Sequence, residues 1–319
     1  MRKQILATII GHCCGDVIGL PVQFTKPDKQ RRNPLSEKDI DNIGKGLWSD
    51  DTSLSIAFIS SFISKKNVDY DDIMCNFQDW LYHGKYTQNG QAFDIGRSTA
   101  ASITRYTYAT PATLSGGNKE KDNGNGGIMR LAPASFIIYQ EYGLNFFANE
   151  NAVEMVHNLS SLTHAHPRSL IGAGIYIAIM VSLLDGMELE EALLKGIRRA
   201  MEYYRSKLEF IEEAEHYSRL ENPDFKKTPM KEIKSSGYIV DTLEAVVWTV
   251  LNTTNYKESI LQGINLGGDS DSIAAITGSI TGLYYGYDSV PKKWISSIPQ
   301  ISYIEDLCEK FYQSLMKGE

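Results

Sequence analysis

The chain has 319 residues, 42% of them hydrophobic, and a formal charge of −7. That length and apolar content suffice for a large buried core, and an acidic balance without a Lys/Arg block excludes a non-specific grip on nucleic acid. The longest apolar stretch, "IGAGIYIAIMVSLL" at 171–184, is shorter than the roughly 20 residues a membrane helix needs, so no membrane partner is expected.

In chain order, apolar residues recur at three- and four-residue steps in 4–14, 52–63, 70–81, 95–106, 150–162, 168–184, 189–204, 238–251, 256–264, 272–285 and 300–316. This is helical periodicity, and period-two alternation is rare, so an all-α protein forming one domain is expected. Gly, Pro and Asn gather between these segments, at 25–50, 83–92, 108–126 and 220–236, which read as loops. The charged segment 205–235 is expected to be a solvated surface insertion. Near the N-terminus a short apolar run carries His12 and Asp16 and no small-residue cleavage site, so no leader is expected. Cys13, Cys14, Cys75 and Cys308 are scattered without zinc spacing and read as reduced thiols in a cytoplasmic protein.

Oxygen-bearing side chains cluster at two helix starts. Ser49, Asp50, Asp51 and Thr52 precede one apolar helix; Asp269, Ser270, Asp271 and Ser272 precede another, after the glycine pair Gly267-Gly268. One such residue suffices to cap a helix, and adjacent ionised aspartates repel. Convergence on hard divalent cations, which prefer carboxylate and hydroxyl oxygens, would account for the surplus; capping and cation binding both stay open on residue types alone. In the helix after Asp271, Ala274, Gly278 and Gly282 give a small-residue face suited to close packing. Gly124, Gly126 and Gly127 form a third feature, with a helix expected to start near Ile128. Exposed backbone N–H groups at such a start suit phosphate, although the stretch matches neither a Walker loop nor a dinucleotide fingerprint. Asp94 precedes a further helix as a candidate cap or acid, and His164 and His166 flank Ala165 ahead of Pro167.

These clusters fall in a recognisable order: "GHCCGDVIGLPVQF" (11–24), "WSDDTSLSIAF" (48–58), "FDIGRSTAA" (93–101), "GNGGIMRLAPAS" (124–135), "LTHAHP" (162–167) and "GGDSDSIAAITGSITGLYYG" (267–286). The chain thereby resembles the ADP-ribosylglycohydrolase family over residues 4–286. The resemblance implies a single compact, orthogonal multi-helix all-α domain with two Mg²⁺ or Mn²⁺ ions in a cleft. It implies Ser49, Asp50, Asp51, Asp269, Asp271 and Ser272 as ligands, and Asp94, Asp51 and Asp271 as catalytic candidates. Gln23, Gly124, Asn125, Gly126, Gly127, Met129, Arg130 and His164 would form the substrate-binding set. The implied reaction releases ADP-ribose from a modified protein side chain, arginine foremost, by a monomer. The alternatives are another ADP-ribosyl conjugate, such as a serine-linked one or O-acetyl-ADP-ribose, and a non-catalytic, crystallin-like binder. Two departures stand out. Ser49 and Ser272 replace the family's frequent threonine and keep the hydroxyl; Gln23 replaces a frequent glutamate and cannot act as a base. The leaving group is expected to be set by the loops at 25–47 and 108–123.

Overall fold

The structure is a computed structural model that describes residues 1–24, 35–36, 38–39 and 46–316, so most of the 25–47 loop lies outside the described residues. Helices follow one another as α1 (Arg2–Gly19), α2 (Asp50–Lys65), α3 (Tyr70–His83), α4 (Arg97–Thr107), α5 (Ala132–Tyr142), α6 (Glu150–Ser161), α7 (Pro167–Leu184), α8 (Leu189–Arg205), α9 (Ile211–Ala214), α10 (Ile239–Leu251), α11 (Tyr256–Asn265), α12 (Ser270–Tyr285), α13 (Lys292–Ser297) and α14 (Ile301–Met316). Among the described residues β-pairing is limited to two isolated bridges, Gly117 with His164 and Gly124 with Tyr238. The all-α expectation therefore holds.

Helix α5 departs from the reading of the sequence. No helix starts near Ile128; Asn125–Gly127 form a 3₁₀ turn, and the helix begins at Ala132 with a proline in its first turn. Every residue from Ala132 to Ile138 is buried. Its buried first two turns carry no polar stripe, which weakens the amphipathic period, and Pro133 reads as a break although it sits in the first turn, where proline is tolerated. Helix α13, six residues long, is too short for periodicity to register.

The buried apolar side chains form one cluster threaded by α1, α7, α10 and α12. Two segments, Arg2–Val22 and Pro167–Leu184, have the length and hydropathy of membrane spans, yet 83% and 89% of their windows are buried inside the fold. Their apolarity is spent on the core. The 205–235 segment is not simply solvated: Ala214, Tyr217, Leu220 and Phe225 are buried, and its charges pair outward, as in Arg205 with Glu215 and Glu221.

Helices α1 and α12 lie backbone against backbone. A Cβ placed on Gly278 would sit 2.2 Å from the Gly11 carbonyl oxygen, and one on Gly15 would sit 2.1 Å from that of Ala274. Further along, a Cβ on Gly19 would meet the Cα of Asp271 at 2.6 Å. The small-residue face thus meets a glycine face on α1 and brings Asp16 alongside the start of α12. Gly278→Val is expected to force the two helices apart, costing about 3 kcal/mol and lowering the melting temperature by about 4–5 °C. An unchanged thermal unfolding curve would refute the packing.

Candidate active site

Helix α2 begins at a capped, buried turn. Ser49 is its N-cap, accepting from the Asp51 N–H, and this places Asp50 and Asp51 in the first turn, where the helix dipole favours negative charge. A second cap comes from far away. Asp16 of α1 accepts from the N–H of Ser49 at 3.0 Å, from the N–H of Thr52 at 3.2 Å and from the Thr52 hydroxyl at 2.6 Å. Burial pushes the Asp16 carboxyl up to about 6, against the opposing hydrogen bonds of Thr52 and Ser49. Asp16 carries no site role in the reading of the sequence; a carboxylate inside an otherwise apolar helix is the signal that marks it.

The start of α12 arrives beside that of α2. Gly267 and Gly268 both take positive φ, at 73° and 64°. A Cβ on Gly268 would strike the Ser235 carbonyl at 2.0 Å, so glycine is required there for conformation and for close approach. The helix proper starts at Ser270 with Asp269 at the cap position, so Ser272 is a first-turn residue. The Ser272 and Ser49 hydroxyls both donate to Asp51 Oδ2, each at 3.1 Å. Among the described residues, Asp51 Oδ1 and both oxygens of Asp271 are buried without a hydrogen-bond donor. Burial first, and then the neighbouring carboxylates, hold Asp50, Asp51 and Asp271 well above the usual carboxylate range. Asp269 is also raised by burial, with Asn125 and Gln23 opposing.

Asp94 is not the cap of α4; that position is Gly96. Asp94 instead takes a left-handed φ of 53°, and its Oδ2 accepts from Gln23 Nε2 at 2.9 Å. The same Gln23 nitrogen lies 3.4 Å from Asp269 Oδ1. An amide donor fits between two carboxylates where a glutamate would add a third negative charge.

The glycine loop is tied down on two sides. Asn125 Nδ2 donates to Asp269 Oδ2 at 2.6 Å, and the Asn125 N–H bonds the Gly237 carbonyl at 2.9 Å. His164 fills the space where side chains at Gly124 and Gly126 would be, 3.2 and 2.8 Å from their notional Cβ atoms. Burial, aided by Arg130, lowers the His164 imidazole to about 3, so it is neutral at physiological pH. Arg130 itself does not face the cavity. It is buried, donating to the Leu159 carbonyl and to Thr163 Oγ1 at 2.7 Å, and Thr163 in turn bonds His164 Nδ1 at 2.8 Å. Its place is that of a brace behind His164. The histidine pair divides: His166 caps α7 by accepting from the Arg168 N–H.

A cavity of about 670 Å³ joins these parts. Gln23, Asp50, Asp94, Gly124, Asn125, Gly126, Met129, His164, Asp269, Asp271 and Ser272 line it; Ser49, Asp51, Gly127 and Arg130 stand behind its wall. The wall also includes Tyr238 and Lys121, which lie in none of the motifs, and Arg97, which lies within "FDIGRSTAA" but carries no role there. Among the described residues, no three His, Cys, Asp or Glu groups stand in a preformed metal-ligating arrangement.

The ADP-ribosylglycohydrolase family model matches residues 1–319. The chain belongs to the ADP-ribosylglycohydrolase family. It is 32% identical to the ADP-ribosylarginine hydrolase Tri1 of Serratia proteamaculans (strain 568), over 95% of this chain and 77% of that protein. It is 28% identical to the ADP-ribosyl-[dinitrogen reductase] glycohydrolase of Rhodospirillum rubrum, over 93% and 91%. A solved structure described as an ADP-ribosylglycohydrolase-related protein complex superposes with a TM-score of 0.75, covering 99% of each chain at 24% identity, and supports the ADP-ribosylglycohydrolase fold.

Proposed function

We propose that this chain hydrolyses the N-glycosidic bond joining ADP-ribose to an arginine side chain of a modified protein. The observation that carries the proposal is the meeting of Asp50, Asp94, Asp269 and Asp271 at one cavity wall, with Asp51 behind them, beside a glycine loop. Two relatives named ADP-ribosylarginine hydrolase, at 32% and 27% identity, support arginine as the linkage.

Two Mg²⁺ or Mn²⁺ ions are part of the proposal, and the residues fit them. Carboxylate and hydroxyl oxygens are the donors such hard ions prefer, and three buried carboxylate oxygens of Asp51 and Asp271 find no hydrogen-bond donor among the described residues. An unpartnered buried charge is costly, and a cation is the partner that would satisfy it. Ser49, Asp50, Asp51, Asp269, Asp271 and Ser272 would hold the ions. When bound, they supply Lewis acidity and positive charge beside the anomeric centre.

The chain's own groups do the rest. Glycosidic cleavage passes through an oxocarbenium-like state and wants an acid or base placed at the anomeric carbon. Asp94, on the cavity wall and held by Gln23, would move that proton. Gln23 would orient Asp94 and Asp269 without titrating. Backbone N–H groups of Gly124–Gly127 would face the diphosphate, and neutral His164 would keep that loop in shape. The test is incubation with ADP-ribosyl-arginine, ADP-ribosyl-serine and O-acetyl-ADP-ribose plus Mg²⁺ or Mn²⁺. Release of free ADP-ribose fastest from the arginine conjugate is expected; no release from any of the three would refute the proposal.

A further inference from the structure

Tyr238 is stitched into the cavity wall from two directions. Its backbone pairs with Gly124 in an isolated bridge, and its neighbour Gly237 accepts from the Asn125 N–H. Its side chain is held by Arg168, from the first turn of α7. Arg168 Nη1 donates to the Tyr238 hydroxyl at 2.9 Å, and the guanidinium carbon stands 5.7 Å from the centroid of the ring. Arg168 is only 6% exposed, and a buried guanidinium needs a counter-charge. Glu213 supplies it: Arg168 Nε donates to Glu213 Oε2 at 2.7 Å. Glu213 lies on α9, within the 205–235 segment. That segment is anchored nearby by Tyr217, whose hydroxyl donates to the Arg168 carbonyl at 2.6 Å. Gly172 of α7 leaves room for this anchor, since a Cβ there would sit 2.8 Å from the Tyr217 hydroxyl.

We infer that Arg168 and Glu213 are positioning residues that fix the Tyr238 ring against the glycine loop, which makes the 205–235 segment a determinant of how tightly the cavity grips ADP-ribosyl substrates. The inference rests on the hydrolase reading for its substrate. Its physical basis is the planar fork of arginine, which reaches two partners at once: one arm meets a carboxylate and another a phenol, a geometry a lysine cannot reproduce. Loss of the Glu213 charge leaves Arg168 free to turn towards Glu120, another residue of the cavity wall, whose Oε1 is 3.9 Å from Arg168 Nη1. Tyr238 then loses its fixed rotamer. Ground-state grip should suffer, while the carboxylates at the reacting bond stay in place.

The test uses Glu213→Gln, Arg168→Lys and Tyr238→Phe in the full chain with Mn²⁺. Steady-state turnover of ADP-ribosyl-arginine and calorimetric binding of ADP-ribose are both measured. Each variant should raise KM and the ADP-ribose Kd about tenfold with kcat changed less than about twofold, and the Glu213→Gln/Tyr238→Phe double variant should be no worse than the stronger single one. Glu244→Gln serves as a control, because it breaks the 2.6 Å pair with Arg219 in the same segment without touching Tyr238. It should lower the melting temperature and leave KM unchanged. Tyr238→Phe keeps the ring and removes one oxygen, so it folds even where the others do not. Unchanged KM and Kd in Tyr238→Phe, additive effects in the double variant, or an equal KM shift in Glu244→Gln would each overturn the inference while wild-type turnover upholds the hydrolase reading. A wild-type protein that neither binds nor releases ADP-ribose would overturn that reading and the substrate assignment here with it.

Discussion

Asp271→Ala is expected to abolish turnover and, in metal-free protein, to raise the melting temperature. Both carboxylate oxygens of Asp271 are buried without a donor among the described residues, and burial together with Asp51 and Asp269 disfavours its charge. Removing a buried, unsatisfied polar group relieves about 1–3 kcal/mol, and the small void left behind offsets part of it. The net rise should be about 2 °C for a chain of this size. If Asp271 holds a cation beside the scissile bond, the same change should cost roughly 10³-fold or more in kcat/KM. It should also cancel any thermal stabilisation by Mg²⁺ or Mn²⁺. Differential scanning with chelator, paired with an ADP-ribose release assay, reads both effects. A variant that keeps turnover within about tenfold of wild type removes Asp271 from the mechanism.

The second large effect is the pH dependence that the carboxylate cluster gives metal-free stability, whose direction is opposite to that of ordinary acid unfolding. Asp16, raised to about 6 by burial, and Asp50, Asp51 and Asp271, held well above the usual carboxylate range by burial and their neighbours, bind protons more tightly folded than unfolded. Over the interval between the unfolded carboxylate value, about 4, and the folded ones, the native state holds more protons, so stability falls as pH rises. Buried His12, His157 and His164, lowered to about 4, 4 and 3, act the other way, so the carboxylate share is read as a difference: with chelator, the melting temperature of wild type minus that of Asp271→Asn should be higher at pH 5 than at pH 8. Divalent ions neutralise the same carboxylates and bind only the folded chain. At a hundredfold excess over their Kd they add about 2.7 kcal/mol, and they should act mainly at the higher pH, flattening or inverting the slope. A chelated wild-type-minus-variant difference that is larger at pH 8 than at pH 5, or a wild-type curve unmoved by Mn²⁺ at pH 8, would contradict the carboxylate cluster as its common cause.

Much of this site was legible before any coordinates, for a chemical reason. Asp50-Asp51 and Asp269-Ser270-Asp271-Ser272 are too rich in oxygen for helix starts that need one cap each, and excess of that kind shows in a linear string. Helices α7 and α12 were legible as long apolar runs although they are almost wholly buried; α5, eleven residues with a proline in its first turn, was not. Roles that depend on where a side chain turns were out of reach. Asp16 caps a helix that begins more than thirty residues later, as its bond to the Ser49 N–H shows. Arg130 sits in a motif yet points into the core, and Tyr238 sits in no motif yet faces the cavity. The 205–235 segment looked solvated because charge dominates its composition, while the few aromatic residues that anchor it, Tyr217 and Phe225, are outnumbered in any window average.

The glycine-to-glycine seam between α1 and α12 joins residues 2–19 to residues 270–285. A ribosome has therefore to deliver the whole stretch between them before α1 can find its mate. Such distant pairing is slow to close, and until it does Asp16 and Asp271 stay apart. Nascent or truncated chains that stop short of residue 270 would be catalytically silent whatever local helices they form, so the chemistry switches on only after α12 has been made.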